Sequence, residues 1–139
     1  MGPTEQSLVA IIEDDADAAF LLRRLLLKTQ VPHRVEHLDD GDKALRFLTA
    51  RFEEGARVGT PDLILLDIKM PKLNGFEVLE WIRSKAHLSV PVIVMTTSDD
   101  PSDQQRALAL GADAFVSKFP SATDFRELVT RLLQTHAAA

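Results

Sequence analysis

Four short clusters along the chain carry the groups that could do chemistry: Glu13-Asp14-Asp15, Asp67, Thr96-Thr97-Ser98 and Ser117-Lys118. Each one directly follows a short apolar run. If those runs are strands of one sheet, their ends gather several carboxylates, hydroxyls and a single lysine at one edge. Clustered carboxylates repel one another and persist only where a hard cation or a proton neutralises them. Oxygen ligands without imidazole or thiolate suit Mg2+, which takes near-octahedral geometry and keeps several waters. A lysine at the opposite rim balances a phosphoryl charge, and a threonine hydroxyl can donate to one of its oxygens. Such a set suits phosphoryl transfer by positioning and charge neutralisation.

The elements that must position these groups are legible in the pattern. The apolar runs are Leu8–Ile12, Val35–Leu38, Leu63–Leu66, Val92–Met95 and Ala114–Val116, and three of them are almost unbroken Val, Ile and Leu. Runs of that kind read as strands buried on both faces of a parallel sheet. Between them lie helical periods: Asp17–Lys28 with Phe20, Leu21, Leu25 and Lys28; Lys43–Phe52 with Ala44, Leu45, Leu48 and Phe52; Phe76–Ile82; an alanine-rich Gln104–Leu110; and Phe125–Leu133. Strict alternation of strand and helix predicts an α/β sandwich with right-handed crossovers. The expected fold is a flavodoxin-like, doubly wound (βα)5 sandwich with a parallel sheet in the order 2-1-3-4-5, which puts a site at the carboxyl ends of the strands. Pro32, Pro61, Pro91 and Pro101 punctuate the elements, and Gly111 follows a helix in the manner of a C-cap. The segment Glu53–Pro61 is a longer loop than such units usually carry.

Composition narrows the function classes. The chain has 139 residues and no cysteine, so one domain is expected and disulfide or thiolate chemistry is excluded. The net charge of −5 and the pI near 5.3 argue against non-specific nucleic-acid binding, which needs a basic face. No run reaches the roughly 18 apolar residues of a membrane span, and Met1–Ser7 has no signal-peptide pattern. A cytoplasmic protein is expected, with an ordered core over about 8–136 and no output domain.

Taken singly, the acids have plain readings. Asp and Glu after a strand commonly sit in the solvated first turn of a helix, where they also suit its dipole. Thr96 reads equally as a β-former and Lys118 as a surface cation. Their coincidence at four strand ends argues for a site. His33 and His37, four apart but flanking a strand rather than lying on a helix, read as surface residues. Trp81 reads as a partly exposed helix residue.

The chain resembles the receiver domain of two-component response regulators, from Leu8 to about His136. The most specific stretch is Pro61-Asp62-Leu63-Ile64-Leu65-Leu66-Asp67-Ile68-Lys69-Met70-Pro71, followed by Asn74-Gly75. Ile12-Glu13-Asp14 matches the acidic pair, Pro91 to Thr96 the strand ending in the switch Ser/Thr, and Gly111 to Lys118 the last strand with its aromatic position and lysine. The finer resemblance is to single-domain regulators of the cyanobacterial-phytochrome type. Two departures stand out: Phe119 separates Lys118 from Pro120, where most receivers have Pro next, and Thr97 stands where Ala is frequent.

The resemblance implies that Asp67 accepts a phosphoryl group from a sensor histidine kinase, and the finer one points to a phytochrome-like kinase. It implies that Mg2+ is held by Asp14, Asp67 and the backbone carbonyl of Lys69, with Glu13 acting through water. Thr96 and Lys118 bind the acyl phosphate, and Thr96 and Phe115 form the switch. Asp15 falls on a variable position outside the ligand set. The protein then signals by phosphorylation-dependent protein binding rather than as a turnover enzyme, without nucleic-acid or membrane partners. A homodimer through the fourth helix, fifth strand and fifth helix is expected from the wide apolar stripe of Phe125, Leu128, Val129, Leu132 and Leu133. The rival is a metal-dependent aspartyl phosphatase or phosphotransferase, which typically carries a second acid where this chain has Lys69. A flavodoxin-like binding module lacks its phosphate loop here, and a pseudo-receiver would not keep Glu13, Asp14, Asp67, Thr96 and Lys118 together.

Overall fold

A computed structural model describes residues 6–53, 60–70, 73–86, 88–97, 100–117 and 120–138. The strands are β1 (Ser7–Ile12), β2 (His33–Leu38), β3 (Leu63–Leu66), β4 (Val92–Thr96) and β5 (Ala114–Ser117), alternating with α1 (Ala16–Lys28), α2 (Gly41–Glu53), α3 (Gly75–Glu80), α4 (Pro101–Ala109) and α5 (Ala122–Ala138). All the pairings are parallel, in the order β2-β1-β3-β4-β5. The expected strand order is the observed one. The loop over 54–59 lies outside the described residues.

Two cores follow from the period-2 alternation of strand side chains. Ala10, Ile12, Ile64, Leu66, Val92 and Val94 pack on one face, against Leu48, Phe76, Leu79 and Ala107 of α2, α3 and α4 and against Ile82 just beyond α3. Val9, Ile11, Leu63, Leu65, Ile93 and Met95 pack on the other, against Leu22, Leu26, Phe125 and Val129 of α1 and α5. The edge strand β2 reads differently, with Arg34 and Glu36 exposed. Charges of this kind are how an edge strand avoids pairing with another chain.

Local sequence sets most helix ends. Asp15 caps α1, accepting from Asp17 N at 2.8 Å and Ala18 N at 3.3 Å. Asn74 and Glu77 form a capping box at α3, and Pro101 follows the Asp100 cap of α4. Gly111 closes α4 at φ +107 in a Schellman turn, with Ala112 N donating to Ala107 O and Gly111 N to Leu108 O.

The packing corrects the expected inward face of α1 and shows where the α5 stripe goes. In α1 the buried residues are Ala18, Ala19, Leu22, Leu25 and Leu26, whereas Phe20 is 58% exposed and Leu21 42%. Phe20 instead lies under the Arg24 guanidinium at 6.0 Å. In α5, Phe125, Val129 and Leu132 are buried in the core and Leu128 and Leu133 pack against it, so the wide stripe serves the fold rather than an outer face.

Beyond Glu80 the helix continues as a π-helical turn over Trp81–Lys85, with Ala86 N donating to Trp81 O. In this turn Arg83 makes three bonds: Nε to Gly111 O at 3.0 Å, one terminal nitrogen to Leu88 O at 2.7 Å, the other to Asp113 Oδ2 at 3.0 Å. The same Asp113 oxygen accepts from Val92 N at the start of β4. Burial lowers the guanidinium pKa and the Asp113 carboxylate acts against that, and the group remains a cation at neutral pH. Arg83→Ala should therefore cost roughly 2 kcal/mol, as expected for losing bonds from a mostly buried charged donor. Arg83→Lys should restore little, because an ammonium cannot reproduce the planar fork. Urea unfolding with an unchanged midpoint in Arg83→Ala would refute this.

Candidate functional site

The acids are placed by the ladder itself. Glu13 N donates to Leu38 O and Asp67 N to Ile12 O, both at 3.0 Å, so each residue extends its strand by one step past the sheet. Neighbours on both sides then bury them: Glu13 is 1% exposed and Asp67 5%. Asp14, turning off the end of β1, is exposed. One carboxylate oxygen from each of Glu13, Asp14 and Asp67 lies within 4.8 Å of the others. The loop after β3 folds back on Asp67, whose Oδ1 accepts from Lys69 N at 3.0 Å. Glu13 Oε2 accepts from Asp15 N at 3.2 Å.

These residues suit a hard divalent cation. Two unit charges at this separation repel by about 3 kcal/mol at an effective dielectric near 20, and three carboxylates make three such pairs. Octahedral bonds of about 2.1 Å set ligand oxygens about 3 Å apart in cis and about 4 Å in trans. Oxygens within 4.8 Å of one another are close enough to share one hydrated cation, directly or through water. The all-oxygen donor set favours Mg2+ or Mn2+ over softer ions.

The remaining expected residues fall as follows. Thr96 ends β4, is fully buried and pairs in register with Ser117. Asp15 serves as the helix cap and is not among the clustered acids. Phe115 is half-buried against the core on the α3 and α4 side. Lys118 and Phe119, directly after β5, lie outside the described residues, as do Pro71, Lys72 and Ser98. The Lys69 side chain does not lean toward the acids' own charges but pairs with Asp103 Oδ2 in the first turn of α4, at 3.7 Å.

One contact at the site was not legible in the sequence. His37, expected at the surface, is half-buried, and its Nε2 lies 2.8 Å from the backbone oxygen of Glu13. A carbonyl only accepts, so Nε2 carries the proton. His33 likewise bonds through Nδ1 to Val31 O at 2.7 Å.

A doubly wound sheet with acids at the carboxyl ends of β1 and β3, and a buried threonine at the end of β4, defines a phosphoryl-handling α/β module. Residues 9–132 match the response regulator receiver domain, and the chain belongs to that family. It is 32% identical over 126 residues to the probable methanogenesis regulatory protein FilR2 of Methanothrix harundinacea, covering 90% of this chain and 80% of that protein. It is 30% identical over 125 residues to response regulator Rcp1 of Synechocystis, covering 88% and 83%. The crystal structure of the Mn2+-bound form of Rcp1 superposes with a TM-score of 0.71, covering 91% of both chains. The phosphorylated cyanobacterial phytochrome response regulator RcpA superposes at 0.74 with 29% identity, covering 92% of this chain and 91% of that one. Other relatives are longer: the chain spans 20% of protein RcaC of Microchaete diplosiphon and 14% of a gliding motility regulatory protein of Myxococcus xanthus. No helix among the described residues is long and apolar enough to cross a membrane.

Proposed function

We propose that Asp67 is the phosphoacceptor of this receiver, with a sensor histidine kinase of phytochrome-like type as donor and Mg2+ as the bound ion. The observation that carries this is the burial of Asp67 at the end of β3, its carboxylate gripped by Lys69 N–H and within 4.8 Å of the Glu13 and Asp14 oxygens. A carboxylate oxygen of Asp67 attacks the phosphorus, the N–P bond of the phosphohistidine breaks, and its electron pair returns to the imidazole. Asp14, Asp67 and the Lys69 carbonyl would hold the cation, with Glu13 acting through water. Bound there, the cation would supply charge neutralisation for the acids and the phosphoryl oxygens. Thr96 would donate its hydroxyl to a phosphoryl oxygen, Lys118 would balance the remaining charge, and Phe115 would fill the space Thr96 leaves.

Lys69 supports the receiver reading over an aspartyl phosphatase. It occupies the position where such an enzyme would need a second acid, and its ammonium faces Asp103 rather than a leaving group. It also gives the acceptor loop a direct tie to α4: its N–H holds Asp67 while its ammonium pairs with the first turn of that helix. A homodimer through α4, β5 and α5 would draw on exposed charges such as Arg126, Glu127 and Arg131 of α5 together with the exposed Leu108 of α4. Its dissociation in salt, followed by light scattering, would mark it.

The reading is tested by incubating the full chain with acetyl phosphate and Mg2+. Intact mass should rise by one phosphoryl group, peptide mapping should place it at Asp67, and EDTA should prevent it. A phosphoryl group mapped to another acid would overturn the assignment.

The two neighbouring acids separate cleanly. Asp14→Ala should weaken Mg2+ binding strongly and leave the fold intact. Asp15→Ala should leave Mg2+ affinity nearly unchanged but cost about 1 kcal/mol of stability through the lost helix cap. Calorimetric titration with urea unfolding distinguishes them, and equal losses of affinity would show that the acid loop is in a different register.

A further inference from the structure

We propose that His37 is a positioning residue for the cation site, through its hydrogen bond to the Glu13 carbonyl; this rests on the reading that Glu13 and Asp14 serve that site. The β1–β2 register ends at Ile12 and Leu38, and Glu13 N donates to Leu38 O. Past that point β2 leaves the sheet, because Asp40 turns the chain into α2 by accepting from Lys43 N and Ala44 N. The imidazole takes over where the ladder stops: from one pair earlier on the edge strand it reaches forward to Glu13 O at 2.8 Å. The Glu13–Asp14 peptide is thereby held on the side facing β2.

That peptide joins the two acids. Its orientation sets the direction in which Asp14 leaves the strand, directly after the buried Glu13. Asp14 is exposed, so its approach to Asp67 depends chiefly on the backbone that carries it. The contact spans 24 residues of sequence and joins an otherwise uninvolved edge strand to the acid loop. Groups in this outer position commonly change metal affinity by about 10–100-fold when removed. A single hydrogen bond acting through one peptide belongs at the lower end.

The test uses the full chain and Mg2+ as the probe, with affinity read by calorimetry and folding by urea unfolding. His37→Phe keeps a ring but removes the donor, and should bind Mg2+ about tenfold more weakly. His37→Gln places an N–H at similar reach and should return to within about twofold of the parent. His37→Ala provides the same deletion should the phenyl ring disturb the fold. Asp14→Asn runs alongside. If Asp14→Asn loses binding while His37→Phe and His37→Ala keep it, the positioning role is wrong and the acid site stands. If His37→Gln is as weak as His37→Phe, the donor is not what matters and the proposal fails. If Asp14→Asn binds as the parent does, the acid-site reading itself fails and takes the proposal with it.

Discussion

Asp67→Asn should abolish phosphoryl uptake from acetyl phosphate and from a cognate kinase while making the protein more stable in EDTA. The substitution is isosteric, and the Asn oxygen can still accept from Lys69 N–H as Asp67 Oδ1 does at 3.0 Å. Chemistry is lost because an amide oxygen is a poor nucleophile and the amide carries no charge to share with a cation. Stability moves the other way for an electrostatic reason. Removing one charge from three carboxylates within 4.8 Å of one another deletes two repulsive pairs. At an effective dielectric near 20 each pair is worth about 3 kcal/mol before screening, and Asp14 is exposed, so a net gain of roughly 1–3 kcal/mol is expected without metal. Excess Mg2+ should erase the gain, since the parent then binds the ion more tightly than the variant. Intact mass and urea midpoints in EDTA and in Mg2+ measure both effects. Undiminished labelling would remove Asp67 from its role, and a lower midpoint in EDTA would show that the acids are not mutually repulsive in the folded state.

Gly75→Ala should be the most damaging small substitution near the site. Gly75 begins α3, its N–H bonding Ile68 O at 3.4 Å. A Cβ there would meet the Asp67 carbonyl oxygen, with Ile68 Cα at 2.6 Å and the Asp67 carbonyl carbon at 2.9 Å. Replacing glycine by alanine in a helix ordinarily gains about 0.4–1 kcal/mol by restricting the unfolded chain. Overpacking ordinarily costs about 1–3 kcal/mol, occasionally more. Here the obstacle is backbone rather than the end of a flexible side chain, so the clash wins and a net loss of about 2–3 kcal/mol is expected. The strain falls on the peptide that carries the acceptor. Either α3 moves off the sheet or the loop from Asp67 to Met70 shifts, and the second also weakens phosphoryl uptake. Circular dichroism in urea gives the first effect and acetyl phosphate labelling the second. A midpoint equal to that of the parent would show that the site tolerates the extra methyl.

The features legible in the sequence are those with a local cause. Pro101 and Gly111 mark helix ends because a cap is satisfied within a few residues. The phase of α1 was not legible for the opposite reason. Phe20, Leu21, Leu22, Leu25, Leu26 and Leu27 surround the helix, so periodicity supports more than one inward face. Contact with α5 and the sheet selects Ala19, Leu22, Leu25 and Leu26. The π-helical turn at Trp81–Lys85 has no sequence marker either, and Arg83 acquires its partners from residues up to 30 positions away.

What the sequence alone determined was the class of fold, its five units, and which strand ends carry acids and a threonine. Two-residue and helical periods are short-range, and each acid directly follows its own apolar run. Tertiary structure decided which of those acids act together. Glu13, Asp14 and Asp15 are consecutive and chemically alike, yet one is buried in the ladder, one turns outward beside Asp67, and one caps α1. That division follows from pairing β1 with β2 on one side and β3 on the other, which also brings the His37 imidazole onto Glu13. Burial and hydrogen-bond partners are properties of neighbours in space, and for Glu13 and Asp67 the strand and imidazole partners stand 24 to 55 residues away in the chain.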